Sequence, residues 1–183
     1  AHPPTPSMVN IEHKLPKGSS NISVMDFIKT QFDRSVTWKD AAWMIEQWDK
    51  PFAIKGILSV EDAKMAVEVG ASAVMVSNHG GRQMDGCPAP IEVIGDIVDA
   101  VGDKLEVILD GGVRRGTHIL KALAMGAKAC MSGRAYLYGL AAGGEEGAYC
   151  SLNLLKNEVQ NNMILLGCKD ISQISAHHIR KLE

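Results

Sequence analysis

Short apolar runs alternate with amphipathic stretches through the middle of the chain. The apolar runs are residues 52–57, 73–76, 107–109 and 129–131. Before and between them, apolar residues recur at helical spacing over residues 38–48, 59–69, 91–100 and 118–125. Strands as uniformly apolar as these are typical of a parallel sheet that is covered by helices. The alternation therefore predicts an α/β fold.

A weak internal repeat refines this prediction. Aligning Gly70 with Gly126 also matches Ala66 with Ala122 and Ala71 with Ala127. Repeated units of helix, glycine and strand indicate a β/α barrel rather than a Rossmann sheet. The pattern contains four strands, whereas a complete eight-stranded barrel takes about 250 residues. We therefore expect half of a (β/α)8 barrel.

The two ends of the chain depart from the alternating pattern. Proline, glycine and serine are concentrated in the first twenty residues, a composition that suits an extended or mobile segment. We expect residues 1–36 to form a mobile loop region and a linking helix. The half barrel is expected over residues 37–168, and a C-terminal helical tail over residues 169–183.

Composition excludes several classes of function. The net charge of −2 leaves no basic footprint for nucleic acid, so no nucleic-acid partner is expected. The four cysteines are scattered without a C-x-x-C pair, and we predict no metal site. No apolar run approaches the length of a membrane span. These features favour a cytoplasmic protein, with peripheral association at the inner membrane as an alternative.

The most informative stretch is Ser77-Asn78-His79-Gly80-Gly81-Arg82, which directly follows an apolar strand. An imidazole is well suited to proton transfer near neutral pH, and a guanidinium three residues later suits a carboxylate. His79 and Arg82 therefore indicate a site that holds an acid and removes a proton from it. Taken alone, the stretch is equally compatible with a solvated loop.

The other strands also end in unusual residues. Lys55 interrupts an apolar strand, and a surface lysine is as good an interpretation as a functional one. Glycines and arginines follow the last two strands, in Asp110-Gly111-Gly112-Val113-Arg114-Arg115-Gly116 and in Gly133-Arg134. Such loops after the last two strands of a barrel commonly bind phosphate, although each alone could be a tight turn. His118 is expected to face solvent, and Met131 to lie in the core.

Together these strings resemble the FMN-dependent α-hydroxy acid oxidases and dehydrogenases, the group that includes L-lactate dehydrogenase, glycolate oxidase and flavocytochrome b2. The resemblance runs from about Gln31 to Cys168 and rests chiefly on the strings that begin at Ser77 and at Asp110. It implies an FMN cofactor and the oxidation of an L-2-hydroxy acid, lactate-like or glycolate-like, to a 2-oxo acid. It also implies a homo-oligomer, with a tetramer as the expected state.

The resemblance implies a role for each candidate residue. His79 would be the catalytic base, and Arg82 would bind the substrate carboxylate. Lys55 would lie beside the flavin N1–C2=O edge, and Ser77 would touch the flavin. The ribityl chain and phosphate would be bound by Asp110, Gly111, Gly112, Arg114, Gly133 and Arg134.

The resemblance also implies that part of the site lies elsewhere. The first four strands of the family's barrel have no counterpart here, and they carry the aspartate that pairs with the catalytic histidine. We therefore expect this chain to be the C-terminal part of a two-part molecule, completed by an N-terminal half. The alternatives are a flavin- or phosphate-binding half barrel without catalysis, an inert structural fragment, and another barrel enzyme such as an aldolase or a nucleotide dehydrogenase. The last would not explain His79 and Arg82 together.

Overall fold

The structure is a computed structural model that describes residues 11, 13–14 and 21–180. It divides into two compact units, residues 1–37 and 38–183. In the first unit, helix α1 spans Asn21–Gln31. Most of the segment predicted to be a mobile loop lies outside the described residues, so that prediction stays open.

The second unit alternates strands and helices in the predicted order. Its elements are α2 (Trp38–Trp48), β1 (Ala53–Ile57), α3 (Val60–Glu68), β2 (Ala73–Ser77), α4 (Pro90–Val101), β3 (Glu106–Asp110), α5 (Gly116–Ala124), β4 (Ala129–Met131) and α6 (Arg134–Leu165). Two single turns of 3₁₀ helix follow, Ile171–Gln173 and Ala176–His178. The described helices include none that is long and apolar enough to cross a membrane.

The four strands form one parallel sheet in the order β1-β2-β3-β4. Each strand neighbours the next along the chain, which is the connectivity of a β/α barrel. The predicted four-stranded α/β half barrel is therefore confirmed. Because the strands are parallel, their carboxyl ends meet along one edge of the sheet.

One face of the sheet forms the hydrophobic core with the helices. Val74, Val76, Val107 and Leu109 are buried there against residues of α3, α4 and α5. The alternate residues Lys55, Met75, Ser77, Ile108, Asp110 and Ala129 form the opposite face, which we call the open face. Ser77 is buried on it, whereas Lys55 and Ala129 are exposed and Met75 and Ile108 are half-buried.

The repeat found in the sequence corresponds to two identical helix ends. Gly70 and Gly126 both have left-handed backbones, with φ of +84° and +95°. The amide of Ala71 donates to Ala66 O at 3.0 Å, and that of Ala127 donates to Ala122 O at 3.0 Å. These bonds are those of a Schellman motif, in which a left-handed residue turns the chain out of the helix. At both positions of the repeat, this motif ends the helix and directs the chain into the next strand.

Helix α6 is two helical segments joined at a kink. The backbone of Gly143 and Gly144 is not helical, with φ of −148° and +60°. On either side of the kink, Gly139 and Gly147 approach so closely that a Cβ on either would overlap the backbone of the other. The small residues therefore allow the second segment to fold back and pack on α5.

Candidate active site

A buried serine organises the polar groups at the carboxyl ends of the first three strands. Ser77 Oγ accepts hydrogen bonds from Lys55 Nζ and from the His79 amide, each at 3.1 Å, and donates to Asp110 Oδ2 at 2.6 Å. Lys55 Nζ also lies 2.7 Å from Asp110 Oδ2. Ser77 is 1% exposed, so its hydroxyl is shielded from water. One hydroxyl thus connects a cation, a carboxylate and the backbone of the candidate base.

Lys55 reaches this position through an irregularity in β1. The pairing of β1 with β2 shifts between Lys55 and Ile57, where Gly56 has a φ of +101°. An irregularity of this kind re-aims the neighbouring side chain and is common beside active sites. The lysine is therefore held within the site by its neighbours, which favours the functional interpretation over a surface lysine.

Asp110 remains ionised in this arrangement. Partial burial acts to raise its pKa, but hydrogen bonds from Lys55 and Ser77, the charge of Lys55 and that of His79 act against burial. The net result is a pKa below the usual value for aspartate. A carboxylate beside Lys55 fixes the position of the ammonium group and partly balances its charge.

His79 lies on a strained turn. Its φ is +57°, and the following Gly80 and Gly81 have φ of +70° and +71°. Three successive left-handed residues are unusual and mark a conformation that the surroundings impose. The Asn78 side chain stabilises the turn by accepting from the Gly81 amide at 3.1 Å and donating to Pro88 O at 3.3 Å.

The turn presents His79 and Arg82 to one cleft of about 1020 Å³. Both side chains are exposed. The His79 imidazole makes no hydrogen bond within the described part of the chain, and the Arg82 guanidinium makes none there either. An imidazole and a guanidinium thus face one cavity, and both are available to a ligand.

The loop after β3 lines the same cleft and brings backbone close to it. Gly111 and Gly112 have φ of +114° and +74°, conformations that favour glycine. The expectation that His118 faces solvent is wrong. Its ring is half-buried, with Nδ1 3.0 Å from Gly112 O and 3.3 Å from the Arg114 amide nitrogen. His118 therefore supports the glycine loop from the first turn of α5.

The two adjacent arginines of this loop have different surroundings. Arg115 Nε lies 2.8 Å and 3.1 Å from the two carboxylate oxygens of Glu158. The amide of Gly116 donates to Glu158 Oε2 at 2.6 Å, so this carboxylate caps α5. Arg114 is exposed and has no side-chain hydrogen bond or ion pair within the described residues. Of the two, Arg114 is the arginine that is available for a phosphate.

Glu158 is a site residue that sequence analysis misses. It lies on α6, 42 residues after Gly116, and nothing in its local sequence separates it from any exposed helical glutamate. The hydrogen bond from Arg115 lowers its pKa, and the Gly116 amide and the charge of Arg115 lower it further, while burial acts in the opposite direction. The carboxylate occupies the α5 N-terminus, where the sequence alone suggests a free anion site.

The loop after β4 completes the cleft. Gly133 and Arg134 both line it, and Arg134 Nη2 donates to Gly80 O at 3.0 Å. Met131, expected in the core, is 41% exposed and lines the cleft instead. All but one of the predicted site residues line this cavity, namely Lys55, His79, Arg82, Asp110, Gly111, Gly112, Arg114, Gly133 and Arg134. The exception is Ser77, which lies buried behind it.

Comparison with known proteins gives a consistent result. The model of the FMN-dependent dehydrogenase family matches residues 2–181. A peroxisomal (S)-2-hydroxyacid oxidase of Arabidopsis thaliana is 46% identical over 173 residues, which are 94% of this chain and 47% of the oxidase. A pre-mycofactocin synthase of Mycolicibacterium smegmatis is 51% identical over 138 residues, 75% of this chain and 35% of the synthase.

The fold comparison agrees. The crystal structure of the monotopic membrane protein (S)-mandelate dehydrogenase matches with a TM-score of 0.83 and 40% identity, covering 90% of this chain and 43% of that one. The chain thus spans about half the length, or less, of the relatives that it matches.

Proposed function

Because the chain belongs to the FMN-dependent dehydrogenase family, we propose that it is the C-terminal half of a barrel enzyme that oxidises an L-2-hydroxy acid to a 2-oxo acid. The observation that carries this proposal is the shared cleft. His79, Arg82 and Lys55 face the same cavity as two loops of glycine and arginine. That arrangement joins groups for acid binding and proton transfer to groups for an anionic cofactor.

The residues around the cleft fit FMN. The volume of the cleft, about 1020 Å³, lies at the upper end of the range for ligand pockets, about 1,000 Å³, so the cleft has room for a large cofactor. Arg114 and Arg134 would hold the phosphate, with Gly133 beside them. Gly111 and Gly112 would allow close approach of the ribityl chain, with Asp110 as an acceptor for its hydroxyls. When bound, FMN supplies the acceptor for the two electrons that leave the substrate.

The chain's own residues then bind and deprotonate the substrate. Arg82 would hold the carboxylate in a bidentate pair, and His79 would take the proton from the hydroxyl or from the adjacent carbon. Lys55, held by Ser77 and Asp110, would place a positive charge beside the flavin N1–C2=O edge. Ser77 would fix the base as well, since it also accepts from the His79 amide.

An N-terminal half would complete both the sheet and the site. The open face carries the exposed Lys55 and Ala129 and the half-buried Met75 and Ile108, and a closed barrel packs such residues in its interior. The His79 imidazole has no hydrogen-bonded partner among the described residues, so the missing half would supply the carboxylate that orients it.

Lactate-like or glycolate-like acids are the proposed substrates. We further propose a cytoplasmic homo-oligomer, with a tetramer as the expected state. Peripheral attachment to the inner membrane is the alternative location, since the relatives include a peroxisomal oxidase and a monotopic membrane dehydrogenase.

A flavin-binding half barrel without catalysis is the second candidate. The lack of a hydrogen bond to the His79 ring from the described residues favours this candidate for the chain by itself, and an inert fragment would bind no flavin at all. Colour distinguishes the three. An enzyme is yellow and bleaches with a hydroxy acid, a binding module is yellow and does not bleach, and an inert fragment is colourless.

The test is reconstitution with a complementary half. The chain is coexpressed with the N-terminal half of the Arabidopsis oxidase, purified as a complex, loaded with FMN and mixed anaerobically with glycolate, L-lactate or (S)-mandelate. We expect flavin bleaching by at least one acid. The proposal is rejected if no complex forms, or if a yellow complex bleaches with none of the three.

Two variants then assign the roles. His79→Gln should remain yellow and lose bleaching by about 10²-fold or more, the usual contribution of a general base. Arg82→Lys should chiefly raise the acid concentration that is required, because a lysine cannot make the bidentate pair. Wild-type bleaching in His79→Gln would remove this residue from the mechanism.

A further inference from the structure

The side chain of Arg134 contacts the turn that carries His79. Arg134 begins α6, and its Nη2 donates to Gly80 O at 3.0 Å across 54 residues of sequence. The fit is close, because a Cβ added to Gly80 would lie 3.1 Å from the same nitrogen. The first residue of the helix after β4 therefore reaches the backbone beside the candidate base.

This contact has no equivalent elsewhere in the turn. Within the described residues, the other hydrogen bonds to residues 79–82 come from Ser77 and Asn78, which belong to the same segment. In the described part of the chain, Arg134 is the one residue that bonds to the turn from another element. A left-handed histidine costs conformational free energy and persists only where its neighbours hold it.

We propose that Arg134 is a positioning residue for His79 in addition to its role toward the cofactor phosphate. This inference rests on the proposed function. A guanidinium has five N–H donors in a fixed plane, so Nη2 can hold Gly80 O while the remaining donors face the cleft. Anchoring Arg134 at a phosphate then also anchors the turn. A lysine, which is a point charge, cannot serve both partners in this geometry.

Arg114 provides a matched control. Both arginines line the cleft and are exposed, and both are proposed to face the phosphate. Arg134 bonds to the His79 turn, whereas Arg114 makes no side-chain hydrogen bond within the described residues. Removing either charge should weaken FMN binding, but only Arg134 should change the turn.

Hydrogen exchange without cofactor tests the contact directly. Amide exchange is measured in a peptide covering residues 78–86 for wild type, Arg134→Ala, Arg134→Lys and Arg114→Ala, each as the full chain. Arg134→Ala should raise exchange about five- to tenfold, as expected for the loss of one hydrogen bond. Arg134→Lys should raise it less, because without a phosphate the ammonium group has Gly80 O as its one partner, and Arg114→Ala should leave it unchanged. Unchanged exchange over the core residues 105–109 confirms that each variant is folded. Wild-type exchange of the turn in both Arg134 variants would overturn the proposal.

Turnover by the reconstituted complex separates positioning from phosphate binding. At saturating FMN, Arg134→Lys should keep a lowered kcat and an altered pH profile, whereas Arg114→Ala should raise the FMN concentration that is required and leave the shape of the pH profile unaltered. Full recovery of kcat and of the pH profile in Arg134→Lys would show that Arg134 acts only in binding the phosphate, and would overturn the proposal. If the wild-type complex oxidises no hydroxy acid, the proposed function fails, while exchange in the cofactor-free chain still decides the role of Arg134.

Discussion

At the strand ends, a single side chain can bond to several groups of the site at once. Ser77 is the clearest case, because one buried hydroxyl serves Lys55, Asp110 and the His79 amide. A hydroxyl can donate once and accept twice, so the whole capacity of this group is used. Substitution at Ser77 should therefore affect three groups at once.

We predict that Ser77→Ala lowers the free energy of unfolding by about 2 kcal/mol, because it leaves buried polar groups without a partner. Denaturant unfolding followed by circular dichroism measures the change. Ser132→Ala is the matched control, since Ser132 Oγ makes one long bond of 3.3 Å to Val113 O. Its effect should stay within about 0.5 kcal/mol. Equal losses in the two variants would contradict the central role of Ser77.

The sequence predicts which residues face the cleft better than it predicts how those residues are bonded to one another. Lys55, His79 and Asp110 are predictable because the carboxyl ends of parallel strands share one edge. The bonds that connect them through Ser77 are not, since Ser77 lies 22 residues after Lys55 and 33 residues before Asp110. Glu158 is missed for the same reason, because its role depends on α6 folding back onto α5.

At the scale of elements, the helix ends of the internal repeat share a conformation but differ in their surroundings. Gly70 and Gly126 are both left-handed. A Cβ on Gly70 would meet nothing within 4 Å, whereas a Cβ on Gly126 would lie 2.5 Å from Val98 Cγ1. A side chain added at Gly70 would therefore cause backbone strain alone, whereas one added at Gly126 would cause backbone strain and steric overlap.

Gly70→Ala should cost about 1–2 kcal/mol, the usual penalty for a left-handed residue with a side chain. Gly126→Ala should cost about 1–3 kcal/mol more, because it adds overpacking against Val98. Denaturant unfolding compares the two. Adding Val98→Ala to Gly126→Ala should remove part of the difference relative to Val98→Ala alone. Equal losses at the two glycines would show that the overlap is relieved at no cost.

The carboxylate of Glu158 links α6 to Arg115 and Gly116 at the start of α5. Its pKa is lowered in the folded chain, first by the hydrogen bond from Arg115. A lowered folded-state pKa adds stability that is complete well above the ordinary glutamate pKa of about 4.3. That stability disappears as the pH falls through the folded-state value.

We expect Glu158→Gln to lower Tm near neutral pH and to approach the wild-type Tm as the pH falls below about 4. Thermal unfolding at several pH values measures this. Glu146→Gln is the control, because Glu146 is exposed and has no hydrogen bond or ion pair within the described residues. A Tm difference for Glu158→Gln that is independent of pH would show that its charge is not what stabilises the link.

Elements with strong periodicity are predictable from the sequence, and α6 is not. The predicted strand 73–76 agrees with Ala73–Ser77 because four apolar residues in a row need burial. Over Arg134–Leu165, paired glycines disfavour a helix. Large apolar residues such as Tyr138, Leu152 and Leu154 are exposed. No apolar face therefore reveals this helix, and only its packing on α5 accounts for it.

In the molecule as a whole, the two faces of the sheet differ in how deeply their side chains are buried. Val107 is 1% exposed and packs among the helices, whereas its neighbour Ile108 is half-buried on the open face. If an N-terminal half closes the barrel over that face, Ile108 becomes interior and must exclude charge. Ile108→Glu should therefore leave the chain folded by circular dichroism but abolish its complex with the N-terminal half in sedimentation velocity. Val107→Glu, one residue away, should instead unfold the chain itself, since it buries a charge in the existing core. A stable complex formed by Ile108→Glu would show that the other half does not cover this face.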